Sequence, residues 1–386
     1  MRYMELPAAS IAARPNRIVS IDALRGFNMF WIIGGDGAIL ALAEMLRGKG
    51  PALDGIGAFL DTQMSHVAWE GFRFYDFIFP LFIFVTGLSI VLSLPRLVER
   101  EGSYAAHVRV LRRTLLLYAL GIIYYGGVSQ QWADIRFVGV LQRIALCYGA
   151  ASLLLLHLRA RGLVAACAAL LIGYWALMTF VPVPGVGAGS FAPDANLANW
   201  IDAHYLPGRL WDESRDPEGL LSTLPAIATC LLGVLAGLFL RAGNVTPGQK
   251  SLWFVAGGIV MVCAGHAWGL QFPVIKAIWT SSFVLVAGGY SLMVLGVMHH
   301  VVDVWGFNRW TTVFVWIGAN AITLYFINNL ASYERFAVRF VGGDVGLLLD
   351  RIVTPGTGRF AAHLLGLVFA IALAGYLHRR KIFLRV

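Results

Sequence analysis

A chain of 386 residues with 58% hydrophobic and only 13% charged residues, at a mean hydropathy of +0.71, carries more apolar side chain than a globular surface can hide. Soluble domains hold roughly 45–50% apolar and about 25% charged residues, so a water-soluble enzyme is excluded. The formal charge of +9 would suggest nucleic acid in a soluble chain; here the basic residues lie in short loops between apolar blocks, the pattern of membrane topology, and no nucleic-acid partner is expected.

The first 16 residues lack the 7–15-residue apolar core of a secretory signal, so the N-terminus is expected to be retained. Apolar runs long enough to cross a bilayer follow at roughly 27–46, 74–95, 113–128, 137–157, 162–181, 219–240, 252–270, 277–298, 310–330 and 360–378. The expected fold is therefore all-α: a polytopic membrane bundle of about ten helices forming one domain over residues 1–386. An even number of spans puts both termini on one side. Most of the 30 Lys and Arg fall on that side, among them Arg2, Arg14, Arg17, Arg25, Arg112, Arg113, Arg379, Arg380 and Arg385. Lys/Arg bias sets orientation, so both termini are expected in the cytoplasm. Cys147, Cys167, Cys230 and Cys263 all sit in apolar stretches without CxxC or Cys/His spacing. Neither a disulfide framework nor a metal site is expected.

Along the chain, the informative residues are polar ones that lipid should not tolerate, because an intramembrane charge is expensive and by default a functional candidate. The first helix holds FNMFWIIGGDGAIL, with Asp36 between glycines that let a ligand approach the backbone. The next segment, SHVAWEGFRFYDFIFPLFIFVTG, places His66 ahead of Trp69 and opens the second helix with Asp76. Asp76 alone could be a helix cap and His66 alone a packing residue. Together with Asp36 at the outer mouth of the first two helices they form a general-base arrangement, an imidazole oriented by a carboxylate.

The fourth helix begins FVGVLQRIALCYG. Its Arg143 stays charged and needs an acid partner, Asp36 or Asp76, or an anionic ligand; Gln142 precedes it. The segment 182–218 is a long outer loop, a length usually reserved for function. Its aromatics Trp200, Tyr205 and Trp211, with acids Asp202, Asp212, Glu213, Asp216 and Glu218, suit stacking on and hydrogen bonding to a sugar ring; an ordered cap with interfacial aromatics is the alternative. The ninth helix, VWIGANAITLYFINNL, places Asn320 and Asn328 on roughly one face, to glue helices or line a pocket.

Taken in order, RIVSIDALRGF, SHVAWEGFRFYDFIFPLFIFVTG, GVLQR, DPEGLLSTLPAIATCLLGVLAG, PVIKAIWTSSFVLVAGG, GANAITLYF and RRKIF resemble the membrane domain of the heparan-alpha-glucosaminide N-acetyltransferase family. The resemblance runs from about residue 17 to the C-terminus. It implies a bacterial relative, multi-pass in the inner membrane and by analogy a homodimer, that moves acetyl from cytoplasmic acetyl-CoA to the amine of glucosamine or a glucosamine-containing glycan outside. It also implies that His66 of H-x-x-W, with Trp69 matching, is the active-site residue. The family's first-helix asparagine falls on Asp36 here. An acid can orient the histidine or bind the amine, where an amide only hydrogen-bonds; Asp76 would then stand behind it. Arg25, Arg112 and Arg113 are the expected partners of the CoA phosphates. Gln142, Arg143 and Asn320 are expected along a channel for its arm, and Trp69, Asp202, Trp211 and Glu218 around the sugar. No metal is implied. Two other activities use the same residues: a proton-coupled amino-sugar transporter and an O-acyltransferase acting on a surface polysaccharide.

Overall fold

Inside a bilayer every backbone N–H and C=O must be satisfied within the chain, which for apolar runs of this length leaves the helix. Helices take up 76% of the computed structural model, and no strand forms among the described residues. These are 18–129, 131–212 and 214–384; Arg2, Arg14, Arg17, Glu213 and Arg385, and the expected retention of the N-terminus, lie outside them.

The first span is α1 (Val19–Phe30), a π-helical turn (Trp31–Gly35) and α2 (Asp36–Leu46). There follow α3 (Pro51–Gln63), α4 (Phe74–Tyr124), α5 (Val140–His157), α6 (Ala160–Phe180), α7 (Leu197–Tyr205), α8 (Thr223–Arg241), α9 (Pro247–Gly269) and α10 (Ser281–Met298). The chain ends with α11 (Thr312–Ala319), α12 (Ala321–Ala331), α13 (Tyr333–Val341), α14 (Gly343–Ile352) and α15 (Thr357–Arg379). Among the described residues eight helices are long and apolar enough to cross a membrane, or nine if the bent pair α11–α12 is one span.

Two of the expected runs, 74–95 and 113–128, fall on α4 alone. At 51 residues it would be about 77 Å long if straight, far beyond a ~30 Å core. It is not straight. Gly102 interrupts it at φ 85°, ψ 168°, left-handed space that suits glycine. Val85, Ser89 and Arg96 on one arm and Arg113 and Leu117 on the other line one cavity, so the arms lie side by side.

The core gathers where α4, α5, α8 and α10 meet, around Ile83, Val91, Leu141, Cys147, Ala228, Cys230, Phe283 and Ala287. Small residues let these helices approach, as is usual where lipid supplies no hydrophobic drive between them. A Cβ on Gly87 would strike the Cys230 carbonyl, and one on Gly233 the Phe84 carbonyl. The same device joins α1 to α11, with Gly26 against Phe314 and Gly318 against Asp22. Large apolar side chains such as Leu115, Val164, Ile172, Leu252 and Val260 remain on the outside of the bundle, as a lipid-facing surface requires. Ile18 and Leu384 line the same cavity, so the described chain ends share one end of the bundle.

One expectation is corrected. The run 310–330 reads as a single helix with Asn320 and Asn328 on one face, but the chain bends by 68° at Asn320. Asn328 instead donates to the Ile32 carbonyl (3.3 Å) and accepts from Tyr333 N–H (3.4 Å), tying α12 to the π turn of the first span.

Candidate active site

At the end of the bundle where α4 begins, residues leading into the helix are extended and stitched to a distant segment. Gly71 N–H donates to the Val274 carbonyl (2.9 Å), and Glu70 pairs with Ile275 in an antiparallel bridge. Gly71 holds φ 127°, a conformation that L side chains rarely adopt. This short pairing brings residues 66–73 against 274–276.

Asp76 is the hub. Its Oδ2 accepts from Arg73 N–H (3.2 Å) and Val67 N–H (3.3 Å), which caps α4 and holds the His66 segment. Its Oδ1 lies 2.8 Å from His66 Nδ1 and 3.3 Å from Lys276 Nζ. Lys276 Nζ lies alongside the imidazole, 2.9 and 3.3 Å from its two nitrogens. The Asp76 side chain is 0% exposed and that of His66 is 53% exposed: a dry carboxylate holds an open ring. Burial pushes the Lys276 amine below its ordinary value, against the opposing pull of Asp76.

Of the two roles expected for Asp36, orienting the histidine or binding the amine, its contacts do not make the first. Its Oδ2 accepts from the Tyr75 hydroxyl (2.6 Å) and its Oδ1 from Gly37 N–H (2.7 Å). The Tyr75 ring lies 4.8 Å from that of His66. Asp36 therefore reaches the histidine through Tyr75, and Asp76 is the group that orients it. The reversal arises because Asp76 sits in the first turn of α4, beside the His66 segment, whereas Asp36 projects from the first span.

The outer loop packs inward more than its composition suggests. Arg136 is buried and grips Asp216 with two bonds (3.1 and 2.8 Å) and Glu218 with one (2.8 Å), between the rings of Tyr125 and Trp211 at 4.5 and 4.6 Å. Burial works against the guanidinium's charge, but Asp216 and Glu218 outweigh it and raise its pKa. The Glu218 carboxyl is raised by burial despite Arg143 and Arg136. Asp202, expected to face a sugar, is buried, accepts from Leu220 N–H (2.8 Å), and is pushed up to about 7 by burial. Asp202 and Glu218 thus pin the loop. Trp211 is exposed, and Trp69 is anchored by its indole N–H to the Phe191 carbonyl (2.9 Å) with Arg215 over its ring.

Arg143 pairs with neither Asp36 nor Asp76. It is buried, donates to the Gly219 carbonyl and the Ser222 hydroxyl, and lies 5.0 Å from the Trp279 ring centre. Gln142 donates to the Arg136 carbonyl (3.3 Å). Both brace α5 against the loop and the start of α8.

A cavity of about 510 Å³ lies towards the opposite end. Arg25, Arg96 and Arg113 line it, with Asn28 and Asn320 among its polar wall residues. Arg25 donates to Ser89 Oγ (2.8 Å), and Arg113 lies over the Tyr148 ring at 4.6 Å. Arg112 is exposed on the next position of the helix and does not line the cavity; adjacent helical residues point about 100° apart. Three guanidiniums on partly apolar walls suit a ligand with an anionic head and a slender tail. From Arg25 to Asp36 the first span advances eleven residues, about 16 Å at helical rise, so one element links the cavity to the histidine end.

Lys276, Tyr75, Arg136 and Arg96 are the site residues that sequence reasoning missed. Lys276 left one signal, a lone lysine between two apolar runs in PVIKAIWT. Among the described residues no group of three or more His, Cys, Asp or Glu could hold a metal ion.

Fold and site define a multi-pass α-helical membrane protein with a carboxylate-held histidine at one end and a basic cavity towards the other. No family model matches the chain. It is 27% identical over 374 residues to the human heparan-alpha-glucosaminide N-acetyltransferase, covering 82% of this chain and 53% of that one. It is 26% identical over 318 residues to the mouse protein of that name, covering 68% and 48%. The chain is related to this family of acyltransferases, and it spans about half the length of the curated relatives it matches.

Proposed function

We propose that the protein is a transmembrane N-acetyltransferase of a bacterial cytoplasmic membrane. It takes acetyl from acetyl-CoA at the cytoplasmic cavity and gives it to the amine of glucosamine, or of a glucosamine-containing glycan, at the outer end. The supporting observation is the pairing, along one span, of a guanidinium-lined cavity with an exposed His66 seated on a buried Asp76. Arg25, Arg96 and Arg113 would hold the phosphates, and the arm of the donor would run along α1 towards Asp36.

Amine attack on a thioester needs a neutral nitrogen. With Nδ1–H donated to Asp76, His66 Nε2 is the acceptor for the amine proton. The amine nitrogen bonds to the acetyl carbon, the carbon–sulfur bond breaks, and the thiolate of CoA takes up the proton His66 received. Asp36, with the Tyr75 hydroxyl on it, would hold the incoming ammonium, which gives up its first proton to water at the open end before the neutral amine attacks. Lys276 supplies positive charge beside the ring.

The test is transfer of radiolabelled acetyl from acetyl-CoA to glucosamine by the purified protein, wild type beside His66→Ala. Label should appear in N-acetylglucosamine and fall by about 100-fold or more in the variant, with acetyl-CoA binding retained. Near-wild-type transfer by His66→Ala would remove the histidine from the chemistry. Accumulation of labelled glucosamine in vesicles without acetyl-CoA would favour transport instead.

A further inference from the structure

Asn28 is 0% exposed, and neither its Nδ2 nor its Oδ1 has a hydrogen-bond partner among the described residues. Asn320 is 3% exposed; its Oδ1 has no partner among them, and its Nδ2 makes a single long bond of 3.5 Å to the Trp316 carbonyl. Both belong to the wall of the 510 Å³ cavity. Buried polar groups in folded proteins are otherwise almost always paired, because an unmade bond in a dry site is destabilising. Thr86 and Ser89 on the same wall obey that rule, each donating to a carbonyl one turn back on α4, while Nε of Arg113 on that wall is the other buried donor without a partner among the described residues. The two asparagines are the wall's unsatisfied amides, and they stand where α1 meets the break between α11 and α12.

We infer that Asn28 and Asn320 form an amide-reading subsite for the linear arm of the acyl donor, so that the cavity selects a thioester carried on an amide-bearing chain. The inference rests on the acetyl-CoA reading above and names what would hold the middle of that ligand. A carboxamide presents an N–H donor and a C=O acceptor side by side. An anion would use only the first, a cation only the second, and an alkyl chain neither; a secondary amide uses both. The depth agrees. Asn28 lies three residues outward from Arg25, about 4.5 Å at helical rise, and eight residues, about 12 Å, short of Asp36. It stands between the groups proposed for the phosphates and those proposed for the transferred acetyl.

The experiment compares wild type with Asn28→Leu, as purified full-length proteins, by isothermal titration with acetyl-CoA and with adenosine 3′,5′-bisphosphate, which keeps nucleotide and phosphates but lacks the arm. Asn28→Leu should weaken acetyl-CoA by about tenfold or more, the worth of one to two hydrogen bonds, and leave the bisphosphate unchanged. The ligand-free variant should melt at the wild-type temperature or above it, because an unpaired amide is replaced by an apolar group of similar size. Asn28→Ser, a smaller change, should show the same selective loss if the leucine proves too bulky to fold. Unchanged acetyl-CoA affinity, a parallel loss for both ligands, or a lowered melting temperature with wild-type affinity for acetyl-CoA would overturn the subsite. Wild-type protein that binds neither ligand would overturn the donor reading itself, a result distinguishable from all of these.

Discussion

The residues around His66 show how one carboxylate can start a helix and hold an imidazole together. Asp76 commits Oδ2 to two backbone N–H groups and Oδ1 to the His66 imidazole and Lys276, so it starts α4 and sets the ring in the same position. Asp202 is the contrasting acid, buried against the loop's own backbone and pushed up to about 7. A raised carboxyl pKa favours the neutral form in the fold, so its contribution to stability is present at low pH. That contribution is lost as pH rises from the ordinary carboxylate range through 7. Asp202→Asn keeps the acceptor for Leu220 N–H and never ionises. Its melting temperature should match wild type near pH 4 and exceed it at pH 8. The gain should be a few kcal/mol at most, since a tenfold change in proton affinity corresponds to about 1.4 kcal/mol. Equal melting curves across that range would show that Asp202 is ionised without penalty.

At the level of elements, the bridge between residues 70–71 and 274–275 assembles the site, and it depends on one backbone conformation. A Cβ on Gly71 would lie 3.3 Å from Val67 Cγ1, and its φ of 127° is strained for any side chain. Gly71→Ala should therefore cost on the order of 1–3 kcal/mol locally and loosen the hold of residues 274–276 on His66. Activity should fall by about tenfold or more, with acetyl-CoA affinity at the distant cavity preserved. Loss of both together in a titration would mean that the substitution unfolds more than this corner. The bend at Asn320 is a second case in which local geometry outranks helical continuity: it places an amide on the cavity wall that a straight helix would have aligned with Asn328.

Across the whole molecule, the cavity and the His66 end are separated by the length of the first span and joined by it. If the cavity holds the phosphates of the donor, charge on its wall should matter and charge nearby on the outside should not. Replacing Arg25 and Arg113 together by Gln should raise the KM for acetyl-CoA by about tenfold or more, each charge-assisted bond being worth roughly 1.5–3 kcal/mol. Arg112→Gln should leave it unchanged. Equal effects from the wall pair and from Arg112 would point to net charge or topology as the cause.

The order of apolar runs and charges by itself determined an all-α membrane bundle, because hydropathy over about 20 residues is a local property that lipid enforces. It also singled out His66 and Asp76, whose ten-residue spacing across a helix start brought them within reach. Only tertiary structure decided what lies 210 residues away from His66, where Lys276 completes the site, and 80 residues from Arg136, where Asp216 closes the loop. It turned Asp202 inward, separated Arg112 from Arg113, and folded α4 back at Gly102. Periodicity and composition record which face of a segment is buried, whereas the partner of a buried polar group is chosen by the packing of helices remote in sequence.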